Sequence, residues 1–288
     1  MDRKDFIKKS VLGSVAAVAV AKTGLAQKVD DQESAKDLGF NHIPNTKSDI
    51  MKNMVLHKAN TRGAADHGWL KAKHTFSFAN YYNPERVQFG VLRVLNDDII
   101  AGGMGFGTHP HDNMEIITIP IEGELKHRDS MGHEKVIKQG EIQVMSAGTG
   151  VQHSEFNNIK DKAINLLQIW LFPNKRGVQP RYDQQMLDVN KMKNTWAQIL
   201  SPDPIDDGVW IHQNAWFHMG EFSKNSKNLY TIKQKINGLY IFVISGSVQV
   251  NGVQLETRDG LGVWDTENFT FEVKSDKTKI LLMDVPMI

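Results

Sequence analysis

Two short stretches of this chain concentrate side chains that hold transition metals. One reads Gly107-Thr108-His109-Pro110-His111-Asp112-Asn113-Met114-Glu115. The other, about 40 residues further on, reads Gly148-Thr149-Gly150-Val151-Gln152-His153-Ser154-Glu155. In an extended strand residues i and i+2 share a face, so His109 and His111 form one converging pair and His153 and Glu155 another. Two antiparallel strands then bring four ligands to one point. Three imidazoles and a carboxylate suit a first-row divalent metal such as iron, copper, nickel or zinc; calcium prefers an all-oxygen shell. A single His-x-His pair on a strand is commonly no more than an exposed or hydrogen-bonded pair. The second same-face pair, reached through the turn Asp129-Ser130-Met131-Gly132 and the glycine-rich Ala147-Gly148-Thr149-Gly150, is what makes the set specific. Cysteine is absent, which excludes thiolate zinc sites, disulfides and cysteine nucleophiles.

The elements that must carry these ligands are strands. Short apolar or alternating runs recur between turn signals: residues 87–95, 114–120, 141–145, 164–172, 239–244, 247–250, 269–273 and 280–285. Asn96-Asp97-Asp98, Glu122-Gly123, Ser245-Gly246, Asn251-Gly252 and Asp259-Gly260 are expected bends, and Val250-Asn251-Gly252-Val253 is a two-residue hairpin signal. Strands at this spacing predict an all-β protein of sandwiches or small barrels. At 288 residues and 40% apolar content the chain is long enough for two compact cores. The segment Phe172 to Pro180, with two prolines and a glycine, is the expected linker, placing one domain over residues 49–172 and linker plus second domain over 173–288. His212 and His218 in the second half are six apart, a spacing that fits neither His-x-His nor a helical pair, so one metal per chain is expected.

The N-terminus predicts export. Asp2-Arg3-Lys4-Asp5-Phe6-Ile7-Lys8-Lys9-Ser10 precedes an apolar run from Val11 to Ala21 and a small-residue site at Gly24-Leu25-Ala26. The run is too short to span a bilayer, so residues 1–26 read as a signal peptide and no stable membrane anchor is expected. The Arg-Lys-x-Phe-Ile-Lys order resembles a twin-arginine signal with Lys4 in place of the second arginine, so a twin-arginine or ordinary secretory route to the periplasm is expected. Residues 27–48 are polar and aperiodic, a tether. Of 34 basic and 33 acidic residues, the first 26 hold five and two, leaving 29 basic against 31 acidic. That balance argues against a nucleic-acid partner.

The metal motifs resemble the paired motifs of the cupin superfamily, and more specifically the pirin family. His67-Gly68-Trp69, the run from His74 to Tyr82, Gly105 to His111, Met145 to Glu155 and Pro180-Arg181-Tyr182 look like bacterial pirin-like proteins, a group that includes quercetin 2,3-dioxygenases. The likeness runs from about Val55 to the C-terminus. It implies a bicupin, two jelly-roll-like β-sandwich domains, with the metal in the N-terminal one on His109, His111, His153 and Glu155. Fe(II) is the metal the resemblance implies first, with Cu, Ni, Co, Mn or Zn as alternatives. Glu115, a ligand position in many other cupins, is expected beside the ligands without joining them.

The same resemblance implies a reaction. A flavonol would bind through its ionised 3-hydroxyl, Glu155 would serve as ligand and general base, and ring opening by O2 would release carbon monoxide. The partners are then a phenolic substrate and O2. The alternative is a non-catalytic metal-binding redox or protein-interaction module with a protein partner. Phe76, Phe78, Tyr81, Tyr82 and Phe106 are candidates to stack on a flat polyphenol, as against simple core. His74 is a weaker pocket candidate, His127 and His133 are expected as exposed loop residues, and Trp69 and Trp170 are expected to pack between sheets.

Overall fold

The computed structural model describes residues 53–287, so the segments expected as signal peptide and polar tether lie outside the described residues. In chain order the first half forms β1 (Met54–His57), β2 (Gly63–Asp66), β3 (Leu70–His74), β4 (Leu92–Ile100), β5 (Gly105–His111), β6 (Glu115–Glu122), β7 (Glu124–Asp129), β8 (Glu134–Lys138), β9 (Glu141–Ser146), β10 (Val151–Asn157), β11 (Ile164–Leu171) and β12 (Arg181–Met186). The second half forms β13 (Ala197–Ser201), β14 (Val209–Trp210), β15 (Trp216–Phe222), β16 (Lys227–Thr231), β17 (Asn237–Ser245), β18 (Val248–Val250), β19 (Val253–Leu255), β20 (Gly260–Val263), β21 (Asn268–Val273) and β22 (Thr278–Pro286). Among the described residues one three-residue helical turn, Ala59–Thr61, interrupts the strands, and no helix is long and apolar enough to cross a membrane.

These strands build the two β-sandwiches of a bicupin. Each pairs a seven-stranded sheet with a four-stranded one: β12-β9-β6-β11-β4-β3-β2 with β5-β10-β7-β8, and β1-β20-β17-β22-β15-β13-β14 with β16-β21-β18-β19. Sheet membership crosses the proline-rich segment 172–180 in both directions. β1 pairs with β20 in the second sandwich, and β12 pairs with β9 in the first. The two large sheets pack back to back through a shared apolar cluster that includes Leu92, Ile117, Ile169, Phe217, Tyr240 and Leu281.

Period-two alternation assigns the faces of each strand. In β6, Ile117 and Ile119 join the cluster between the large sheets, while Ile116 points into the first sandwich. The hairpin at Asn251-Gly252 forms as its sequence predicts: Val250 pairs with Val253, and both turn residues have positive φ, 44° and 87°. Asn96-Asp97-Asp98, expected as a bend, lies inside β4. Long-range partners hold these turn-forming residues extended. Asn96 Oδ1 meets His74 Nδ1 at 2.9 Å, and Asp97 accepts from Arg62 at 3.3 Å and from Asn165 at 2.8 Å.

The interiors of the two sandwiches differ. The second is filled by one continuous cluster of residues such as Leu239, Ile241, Val250, Phe269 and Phe271. The first is split in two, Leu70, Ile100, Leu125 and Ile164 on one side and Val94, Ile116, Met145 and Trp170 on the other. A polar row crosses the large sheet between them. His74 pairs with Asn96, Asn96 with Gln168, Gln168 with Thr118 and Thr118 with Gln143, one residue from each of five neighbouring strands, all buried. Buried polar side chains need partners, so a row of this kind marks a place where the interior is built for something other than packing.

Candidate metal centre

That something faces the row from the small sheet. β5 and β10 are antiparallel neighbours in the register that places His153 opposite His109 and Val151 opposite His111. The strand ends are shaped by close backbone approach. Gly148 has φ +48°, a Cβ there would lie 2.0 Å from the Val178 carbonyl oxygen, and Thr149 N–H donates to that same oxygen at 2.9 Å. The proline-rich segment thereby packs onto the loop that leads into β10.

The imidazoles of His109, His111 and His153 form a triangle with ring centroids 4.4 to 4.9 Å apart. One ring nitrogen of each lies within 4.8 Å of the others, as a shared metal ion requires. His109 Nδ1 is 2.8 Å from the Gly107 carbonyl oxygen. A carbonyl only accepts, so Nδ1 carries the proton and Nε2 the lone pair. His111 Nε2 and both nitrogens of His153 are buried without a hydrogen-bond partner among the described residues. Burial lowers the pKa of all three; His111 is brought down to about 3, with His109 adding to the effect, and His153 is held well below the usual value. They are therefore neutral at physiological pH, with lone pairs available. Unpartnered, neutral and converging nitrogens fit a divalent cation.

Glu155 falls into a second group, with His153 and His127. The β10 register shifts between His153 and Glu155, so the two side chains do not simply follow one another on a regular face. Glu155 is fully buried and receives Gln168 Nε2 at 3.2 Å on each oxygen. Burial pushes its carboxyl up to about 7 against the opposing hydrogen bonds from Gln168 and Thr118. The polar row is thus the seat of this carboxylate.

Around the site the structure corrects the sequence reading at His127, Glu115 and Phe76. His127, expected in an exposed loop, is fully buried in β7, with its ring 5.3 Å from that of His153. Its Nε2–H donates to Asp129 Oδ2 at 3.1 Å, leaving Nδ1 unpartnered. The alternation of β7, with Leu125, His127 and Asp129 buried, is the signal that could have placed it. Glu115, expected beside the ligands, lies on the other face of β6 with Ile117. It accepts from Ser146 Oγ at 2.6 Å, with Arg181 close enough to act on it electrostatically. Glu115→Gln is therefore expected to leave metal content within about 10% of wild type by elemental analysis, because the residue acts between the large sheets. Phe76 likewise belongs to the cluster between the large sheets and is no stacking candidate.

Beside the imidazoles lies a cavity with an open mouth. Phe78, Phe106 and Trp170 line it, together with His74, Asp98, Gln168 and Glu155. Trp170 packs between the sheets as expected, and its ring stands nearly perpendicular to that of His111 with centroids 4.9 Å apart. Tyr81 stacks on His74 behind the wall, whereas Tyr82 is exposed. Burial holds Asp98 well above the usual carboxylate range, reinforced by the neighbouring charges of Asp97 and Glu155. Both groups of clustered metal-ligating side chains found among the described residues lie in this first sandwich.

Comparison with known proteins agrees with this architecture. Residues 55–171 match the family model described as Pirin, and residues 198–285 that of the quercetinase C-terminal cupin domain. The chain is 43% identical over 235 residues to a quercetin 2,3-dioxygenase of Escherichia coli strain K12, covering 82% of this chain and all of the relative. The chain belongs to the pirin family. A pirin-like protein of Caulobacter vibrioides is 37% identical over 76% of this chain and 94% of its own. Among solved structures, the bacterial pirin YhhW from Escherichia coli in complex with nickel(II) superposes with a TM-score of 0.77 at 42% identity, over 82% of this pirin and all of the other chain.

Proposed function

We propose that this pirin is a metal-dependent dioxygenase that cleaves a flavonol such as quercetin with O2. The carrying observation is the placement of buried, unpartnered imidazole nitrogens in the wall of an aromatic-lined cavity. A metal-storing or metal-sensing module has no need of such a cavity; a catalyst does. The names of its relatives, quercetin 2,3-dioxygenases among them, support the same reading. We take His109, His111 and His153, joined by Glu155, as the residues that hold the metal, and Fe(II) as its identity. Imidazole-plus-carboxylate sets with open positions are those of non-haem iron oxygenases, although the donors also accommodate Ni, Cu, Co, Mn and Zn.

When bound, the metal supplies Lewis acidity toward the ionised 3-hydroxyl of the flavonol and a site for O2 chemistry. The protein supplies the rest. Glu155 would take the hydroxyl proton, and Gln168 holds the carboxylate in place by donating to both oxygens. Phe78, Phe106 and Trp170 offer flat apolar surface for the flavonol rings and keep bulk water from them.

The test is oxygen uptake and carbon monoxide release by the iron-reconstituted protein given quercetin, with His109→Ala and Glu155→Ala variants and metal analysis of each. Turnover lost in both variants supports the proposal. Bound metal without turnover on a panel of flavonols overturns it. We also propose export to the periplasm, supported by the three-part N-terminal sequence. Recovery of chains beginning near Gln27 from the periplasmic fraction supports this, and recovery of uncleaved cytoplasmic protein refutes it.

A further inference from the structure

Adjacent acids on β4 have opposite fates. Asp97 faces the second sandwich and is paired, accepting from Arg62, Asn165 and Arg258 at 2.8 to 3.4 Å. Asp98 points the other way, between Ala72 and Leu166 of the neighbouring strands, into the cavity beside the metal centre. It is only 5% exposed, and its Oδ1 has no hydrogen-bond partner among the described residues. The cavity wall it enters also carries Leu70, Ala72 and Phe78, Glu155 is near enough to act on it electrostatically, and Asn96 is already engaged by His74. A buried carboxyl oxygen left bare at a cavity wall is destabilising unless something outside the protein completes it.

We propose that Asp98 is a substrate-specificity residue: it hydrogen-bonds a phenolic hydroxyl of the ligand on a ring remote from the hydroxyl that meets the metal. The proposal rests on the flavonol reading of the cavity. The occupant it specifies is a flat, largely apolar molecule with two separated polar points, one for the metal centre and one for Asp98. An ordinary apolar pocket discriminates poorly between a phenyl ring and its hydroxylated analogue. A pocket with a built-in polar partner rejects the analogue that lacks the hydroxyl, because the partner is then left bare.

Quercetin and 3-hydroxyflavone separate the two polar points. Both carry the 3-hydroxyl and 4-carbonyl, and 3-hydroxyflavone lacks every other hydroxyl. Anaerobic titration of the metal-loaded full-length protein, read by quenching of tryptophan fluorescence, measures binding without turnover. Wild type is expected to bind quercetin about tenfold or more tightly than 3-hydroxyflavone, in line with a hydrogen bond to a buried acid. Asp98→Leu is expected to bind the two alike at unchanged metal content, and Asp98→Asn, which keeps a donor and an acceptor, to restore most of the preference. Asp98→Ala, carried in parallel, reads the same loss if the leucine variant does not fold. Preference for quercetin retained in the leucine or alanine variant overturns the proposal. The expected binding pattern without oxygen uptake would leave Asp98 as a recognition residue while removing the dioxygenase reading.

Discussion

His153→Ala is expected to reduce bound metal to below about a tenth of the wild-type content and quercetin-dependent oxygen uptake at least about a hundredfold. The ring sits where the two candidate ligand groups overlap, counted once with His109 and His111 and once with His127 and Glu155. It is nearly fully buried, and neither nitrogen has a protein partner. A histidine kept for structure would use at least one of them. His109, half-buried and tied to the Gly107 carbonyl, is the more replaceable member, so His109→Ala is expected to retain more metal than His153→Ala. Equilibrium dialysis against the metal followed by elemental analysis measures the effect, with Glu115→Gln as the variant that should not lose metal. Equal metal content in His153→Ala and wild type would remove the His153 assignment.

Much of this site is legible in the sequence because strand periodicity is short and local. His109 and His111 are two apart, as are His153 and Glu155, and β5 and β10 carry them as neighbours. What the sequence hides is cross-strand. The polar row of His74, Asn96, Gln168, Thr118 and Gln143 takes one residue from each of five strands, and no window along the chain contains more than one of them. Glu115 is misplaced by the resemblance, because a ligand position in other cupins does not say which face of β6 carries the residue in this chain. Met114 ends the β5–β6 connection, and from Glu115 onward the alternation sends odd positions toward the second sandwich. Asn96-Asp97-Asp98 misleads for a related reason. Its composition favours a turn, and pairing with β3 and β11 together with Arg62, Asn165 and Arg258, all far from Asp97 in sequence, holds it extended.

The same burial that readies the centre for metal should make it unstable when empty, and Glu155→Gln exposes this. In the metal-free fold the carboxyl has a pKa of about 7, raised by burial from the ordinary 4.5. A raised carboxylate pKa means that the folded state holds its proton more tightly than the unfolded chain. The resulting stability is fully present below pH 4.5 and is lost as pH rises to about 7. Glutamine cannot ionise and keeps one oxygen to accept from Gln168, so it does not suffer that loss. Metal-free Glu155→Gln is therefore expected to match wild type near pH 4.5 and to exceed it by about 3 kcal/mol at pH 8, at about 1.4 kcal/mol per pH unit over the span. Urea unfolding of chelator-treated protein at both pH values measures the difference, and a gap independent of pH would reject the explanation. Added metal should invert the order. Wild type gains stability with ligand concentration through a carboxylate donor that the variant lacks, so the residue that weakens the empty fold is the one that secures the loaded one.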